Sequence, residues 1–175
     1  MLTVGTDTFV SIDDANTYIS EYYMSNSDKY KAWSQLSNDD KEICLREACQ
    51  ELSVLPYRGV VYEAFQPLPF PRFMGDAWVM AYRELIAPEA ILYPEMQEIP
   101  QSIISAQIEE ALELICPSSD TEAFLARNGA VDSYTIGHLS EHYSKDASAT
   151  ESVIRSLKAQ ELLKPFIGGI YDIDG

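Results

Sequence analysis

The residues with the chemistry to act are few, and their spacing does not assemble them. His138 and His142 stand four apart, the spacing that puts two imidazoles on one helix face and lets both reach a single zinc ion. They fall in a run of β-formers around Gly137, with no HExxH or ExxH context, so the pair is read as exposed or partner-facing and no metal site is expected. Carboxylates occur as neighbours at Asp13-Asp14, Asp39-Asp40 and Glu109-Glu110. Paired carboxylates do acid–base work only where they converge in a cleft that shifts their pKa values. The first two pairs have a simpler use at helix starts, and Glu109-Glu110 is read as the polar side of a helix. Cys44, Cys49 and Cys116 are odd in number and form no CxxC pair; they are read as small buried apolar residues. No GxxxxGK[ST], GxGxxG or GxSxG run is present, so the loops that cradle nucleotides or present a nucleophilic serine are missing. The expectation is a protein that is not an enzyme and takes no cofactor or metal.

The elements around these residues are mainly helical. Ser11 followed by Asp14, and Ser37 followed by Asp40, read as helix starts in which the serine caps and the acid favours the helix dipole. Behind the first, Ala15, Tyr18, Ile19 and Tyr22 fall on one face. Residues 25–28 break that helix, and a short one carrying Ala32, Trp33 and Leu36 follows. Behind the second cap, Leu45, Ala48, Cys49 and Leu52 make a stripe that runs to about Ser53, before Pro56 and Gly59. A third long helix opens with Pro100 as its first residue, carries Ile104, Ile108, Ala111, Leu112 and Ile115, and stops at Pro117. A short helix is expected over Thr121 to Arg127, ended by Asn128-Gly129. A last one is expected from about Thr150 to Leu163, with Val153, Ile154 and Leu157 on one side.

Two stretches break the helical pattern. Residues 60–98 hold recurrent prolines with aromatics between them and read as an ordered loop rather than a linker, with a helical turn or two around Trp78 to Leu85. Residues 131–143 partly alternate and read as a β-hairpin, or as two short strands bent at Gly137. The fold class is therefore mainly α: a small bundle of four to five helices with a short β-hairpin near 131–143 and an extended C-terminal segment. The domain division is 1–164, a helical unit with the inserted 60–98 loop, and 165–175, a tail whose apolar residues and paired glycines suit docking on a partner. Candidate interface residues are Tyr134, Ile136, His138 and Tyr143 of the hairpin with Phe166, Ile167, Ile170 and Tyr171 of the tail.

Charge restricts the function classes most. The chain of 175 residues has 28 acidic and 12 basic residues, a net charge of −16. Its lysines and arginines are scattered singly, whereas nucleic-acid binders concentrate them to neutralise phosphates. An acidic wall does suit DNA that must slide past without sticking. The aromatics could stack on bases, but a stacking platform comes with a positive groove; core packing and subunit interfaces account for them better. No stretch approaches the roughly 20 apolar residues of a membrane span. The opening residues lack the basic and apolar regions of a secretory signal, so a cytoplasmic product is expected.

The order of segments resembles a known family. Residues 9–23, the 31–52 helix pair, Pro56-Tyr57-Arg58-Gly59, the run Leu68 to Arg72, Ile99-Pro100 with Ala106 and Ala111, Ser133 to Gly137 with Tyr143, and Leu162 to Phe166 are similar, in that order, to the head-to-tail connector (adaptor) proteins of tailed phages. Some members of that family also carry the label of DnaT-like single-stranded-DNA-binding proteins. No single motif is specific; the ordered set is. The chain departs from the pattern at 73–98, which is longer and richer in aromatics, and at the added terminal residues 168–175. The resemblance implies a virion structural protein, made in the host cytoplasm and placed in the neck. There a homo-oligomeric ring, following the twelve-fold symmetry of the portal protein, extends the DNA channel and presents a platform for the next neck or tail protein. Two alternatives stay open: a DnaT-like replication accessory that binds nucleic acid, and another neck component such as a stopper or tail-completion protein.

Overall fold

The computed structural model describes residues 2–73, 98–118, 133–136, 139–142 and 154–167. Among these are helices α1 (Ile12–Tyr22), α2 (Asp28–Gln35), α3 (Asn38–Ser53), α4 (Gln101–Ile115) and α5 (Leu157–Leu163). They also hold strands β1 (Val60–Val61), β2 (Arg72–Phe73), β3 (Ser133–Ile136) and β4 (Leu139–His142). The chain is mainly α, as its periodicity indicates.

Helix starts follow the sequence closely. Ser11 and Ser37 each accept the amide three residues on and donate their own hydroxyl to the carboxylates of Asp14 (2.6 Å) and Asp40 (2.7 Å), satisfying amides that the first turn leaves without partners. Ser27 and Ser156 cap α2 and α5 by accepting the amides of Tyr30 and Ala159. Pro100 stands one position earlier than expected, as the N-cap of α4.

Helix α4 is the axis of packing, lying chiefly against α3 and α5 and then α2. On one side Ile103 and Ala106 join Phe9, Cys49, Leu52, Phe70, Ile154, Ala159 and Leu163. On the other, Ile108, Ala111 and Leu112 join Val10, Ala15, Ile19, Trp33, Leu45 and Ala48. The stripe Leu45, Ala48, Cys49, Leu52 is buried throughout. In α1 only Ala15 and Ile19 are buried, and Tyr22 faces solvent.

Four sequence expectations need correction. Glu109 and Glu110 do not lie on an exposed polar side: both are 0% exposed, because the neighbouring helices cover the face of α4 that carries them. The last described helix starts at Leu157, not near Thr150. The amides of Arg155 and Ser156 are given to Glu110 and so cannot join an earlier helical ladder. Leu157, expected on the apolar side, is exposed. Finally, part of the Pro-rich loop is a strand pair. Val60 faces Phe73 and Val61 faces Arg72, and two-residue strands are too short to leave an alternation signal.

Arg72 fastens that loop by donating to the carbonyls of Tyr57, Arg58, Gly59 and Pro69. Gly59, at φ +72°, makes the left-handed turn into β1 that other residues adopt at a cost. The hairpin expected near 131–143 is present, with β3 and β4 antiparallel and Ser133 opposite His142, Tyr134 opposite Glu141, Thr135 opposite Ser140 and Ile136 opposite Leu139. The helices expected near Trp78–Leu85 and Thr121–Arg127 lie outside the described residues. No helix among the described residues is long and apolar enough to cross a membrane.

Candidate functional site

Three carboxylates and one amide project from α4 into the interior. Each ties the helix to different neighbours. Gln107 accepts the amide of Phe9 (2.9 Å) and donates to the Thr8 hydroxyl (2.7 Å) and the Leu45 carbonyl (2.6 Å), joining the N-terminal turn to α3. Glu113 receives the Lys29 ammonium from α2 and the amide of Ser118 (2.6 Å).

Glu109 accepts the hydroxyls of Tyr18 (2.7 Å) and Tyr23 (2.5 Å) and pairs with Lys158 at 2.5 Å. The Lys158 ammonium lies 5.1–5.8 Å from the ring centres of Tyr18, Tyr22 and Tyr23, where ring faces attract a cation. Burial first, and then the neighbouring carboxylate, push the Tyr18 and Tyr23 hydroxyls well above the usual phenol range. They therefore remain donors.

Glu110 has a different setting. It accepts the amides of Arg155 (2.9 Å) and Ser156 (2.8 Å), with the Arg155 guanidinium 3.6 Å away. That guanidinium pairs more closely with Glu51 of α3, at 2.6 Å. The second oxygen of Glu51 is buried without a hydrogen-bond partner. Burial first raises the Glu110 carboxyl to about 7, the two amides oppose the rise, and Glu51 adds to it. Two carboxylates have no donor between them; a proton on Glu110 supplies one.

These groups hold the bundle together: charged hydrogen bonds between buried partners are strong, and a buried carboxylate without donors is costly. Sequence reasoning missed them. The available signal was that α4 carries three acids and no basic residue, so none of its carboxylates has a cation on its own helix.

Phe166 and Ile167 pack on the protein's own core. Phe166 meets the Phe70 ring edge-on at 5.6 Å, Tyr57 meets the same ring at 4.8 Å, and Ile167 bridges to Tyr57. Tyr134 and Ile136 lie in β3. His138, Tyr143, Ile170 and Tyr171 lie outside the described residues. The run His138 to His142 also has the HxxEH order of one class of zinc peptidase, which the spacing argument passed over. That order aligns its ligands on a helix, and here Leu139–His142 is a strand. Cys49 is buried, its thiol raised by burial to about 11, and Cys44 and Cys116 are half-buried.

A family model described as "Putative DnaT-like ssDNA binding protein" matches residues 2–173. The chain belongs to this family. No curated protein and no solved structure matches it. Lys29, Arg155 and Lys158 all lie against carboxylates of the interior, and Arg72 is bound to main-chain carbonyls.

Proposed function

We propose that this member of the DnaT-like family is a structural, non-catalytic subunit of a tailed-phage head-to-tail connector. It would assemble as a ring under the portal protein with that protein's twelve-fold symmetry, extend the DNA channel and seat the next neck or tail protein, in the virion neck after synthesis in the host cytoplasm. The observation that carries this reading is the disposition of charge. A chain of net charge −16 turns Lys29, Arg155 and Lys158 toward its own carboxylates. What remains suits a wall along which DNA moves without being held. The ordered resemblance to connector proteins supports the same reading.

The family's description favours a second reading, a replication accessory that binds single-stranded DNA, and it speaks for that reading more directly than for the first. The two diverge in one experiment. Mass photometry of the purified protein, alone and with portal protein, is paired with fluorescence anisotropy on a labelled single-stranded oligonucleotide across a salt series. A ring, or a portal-dependent complex, without oligonucleotide affinity is the connector result. A protein that ignores portal and binds the oligonucleotide, less tightly as salt rises, replaces it with the accessory reading.

A further inference from the structure

Phe65 is 98% exposed, yet the loop that carries it is firmly built. The Tyr62 amide donates to the Pro71 carbonyl. Gln66 accepts the amide of Glu63 (2.9 Å) and donates to the carbonyls of Leu68 (2.7 Å) and Pro71 (3.0 Å). Arg72 ties the base to residues 57–59, and Phe70 anchors it in the core. A loop already ordered by its own hydrogen bonds gives up little conformational freedom on docking. A large aromatic held in water at its tip is the kind of side chain that anchors protein interfaces.

On another part of the surface, α1 and α4 border a groove of about 510 Å³. Its floor is Val10, Ile104 and Ile108, one wall is Tyr18 with Tyr22, and its rim carries Asp14 and Glu21. The base of the Phe65 loop carries the opposite charge. Arg58 is exposed, and the Arg72 guanidinium is held by carbonyl oxygens, not by a carboxylate among the described residues. An aromatic tip on a basic footing thus matches an apolar floor with an acidic rim.

We propose that the Phe65 loop docks in the α1–α4 groove of a second copy of this chain. Two different patches on one chain make a head-to-tail contact, which closes into a ring when the rotation per subunit allows. The contact deepens the connector reading above and rests on it. Because the copies repel at long range, assembly is expected at salt that screens their net charge and leaves the close contact intact.

The test uses the full-length protein and two variants, Phe65→Asp at the tip and Thr17→Trp on the exposed groove rim, with circular dichroism melts to show that both stay folded. Mass photometry over a concentration series, with and without portal, should show subunit association weakened roughly tenfold or more in each variant, the effect of losing an interface anchor. A photo-crosslinking benzoylphenylalanine at position 65, in a mixture of isotopically light and heavy protein, should join residues 9–22 or 101–108 of another copy. Rings that form unchanged from Phe65→Asp, or crosslinks that land elsewhere, overturn the contact and leave the connector reading standing. A wild-type protein that never assembles, alone or on portal, removes both.

Discussion

Glu109 and Glu110 are consecutive on one helix and equally buried, yet they are handled in opposite ways. Glu109 meets two phenols and an ammonium. Glu110 meets two backbone amides, a shared guanidinium and a second carboxylate. Burial alone therefore does not decide what a buried acid does. The donor set does: the first acid has its charge matched, and the second has its charge contested.

The largest effect should come from breaking the matched site. Glu109→Ala removes the acceptor shared by Tyr18, Tyr23 and Lys158. It should destabilise the protein by about 3 kcal/mol, at the low end for breaking a buried pair because Lys158 can turn back to water. Urea denaturation measures it, and a loss under 1 kcal/mol would mean the cluster is ornamental.

The contested site should behave in the reverse sense. The Glu110 carboxyl sits at about 7, above its ordinary 4.5. Its contribution to stability is complete below about pH 4.5 and is lost as the pH rises through 7. Glu110→Gln keeps the group neutral at every pH. Its carboxamide offers one acceptor oxygen to the two main-chain amides, so it should be less stable than wild type near pH 4.5, but it should escape the loss of about 2 kcal/mol that wild type suffers as the pH rises through 7, once coupling to Glu51 is discounted. Paired denaturation curves at several pH values check the slope; a variant whose stability falls with pH as steeply as the wild type's would show that Glu110 is not the titrating group.

The smallest effect belongs to Glu51→Gln. It leaves the Arg155 contact an acceptor and gives the unpartnered oxygen site an N–H directed toward Glu110. A gain of about 1 kcal/mol above pH 7 is expected, and it should vanish when combined with Glu110→Gln, a coupling that a double-mutant cycle reads directly.

Much of the fold was legible from local patterns. The capping serines at 11 and 37 need only the acid three residues on, and the Leu45 to Leu52 stripe needs only the helical period. Glu109 and Glu110 were illegible because their partners come from α1, α3 and α5, some 45 to 91 residues away along the chain. A helix face covered by neighbours can carry the same acids as a wet one. The contacts of Phe166 were illegible for the same reason: its apolar character is plain in the sequence, but Phe70 and Tyr57, which receive it, are not near it in the chain.

Gln107 has a consequence for how the molecule comes apart. Its one carboxamide is satisfied only when the turn at Thr8–Phe9 and the carbonyl of Leu45 are both in place. A partly opened state that frees either one strands polar atoms in an apolar interior. The segment around Thr8 and Phe9 should thus exchange its amide hydrogens in step with α3 and α4. Their protection would be cooperative with the core, where a frayed end would open by itself.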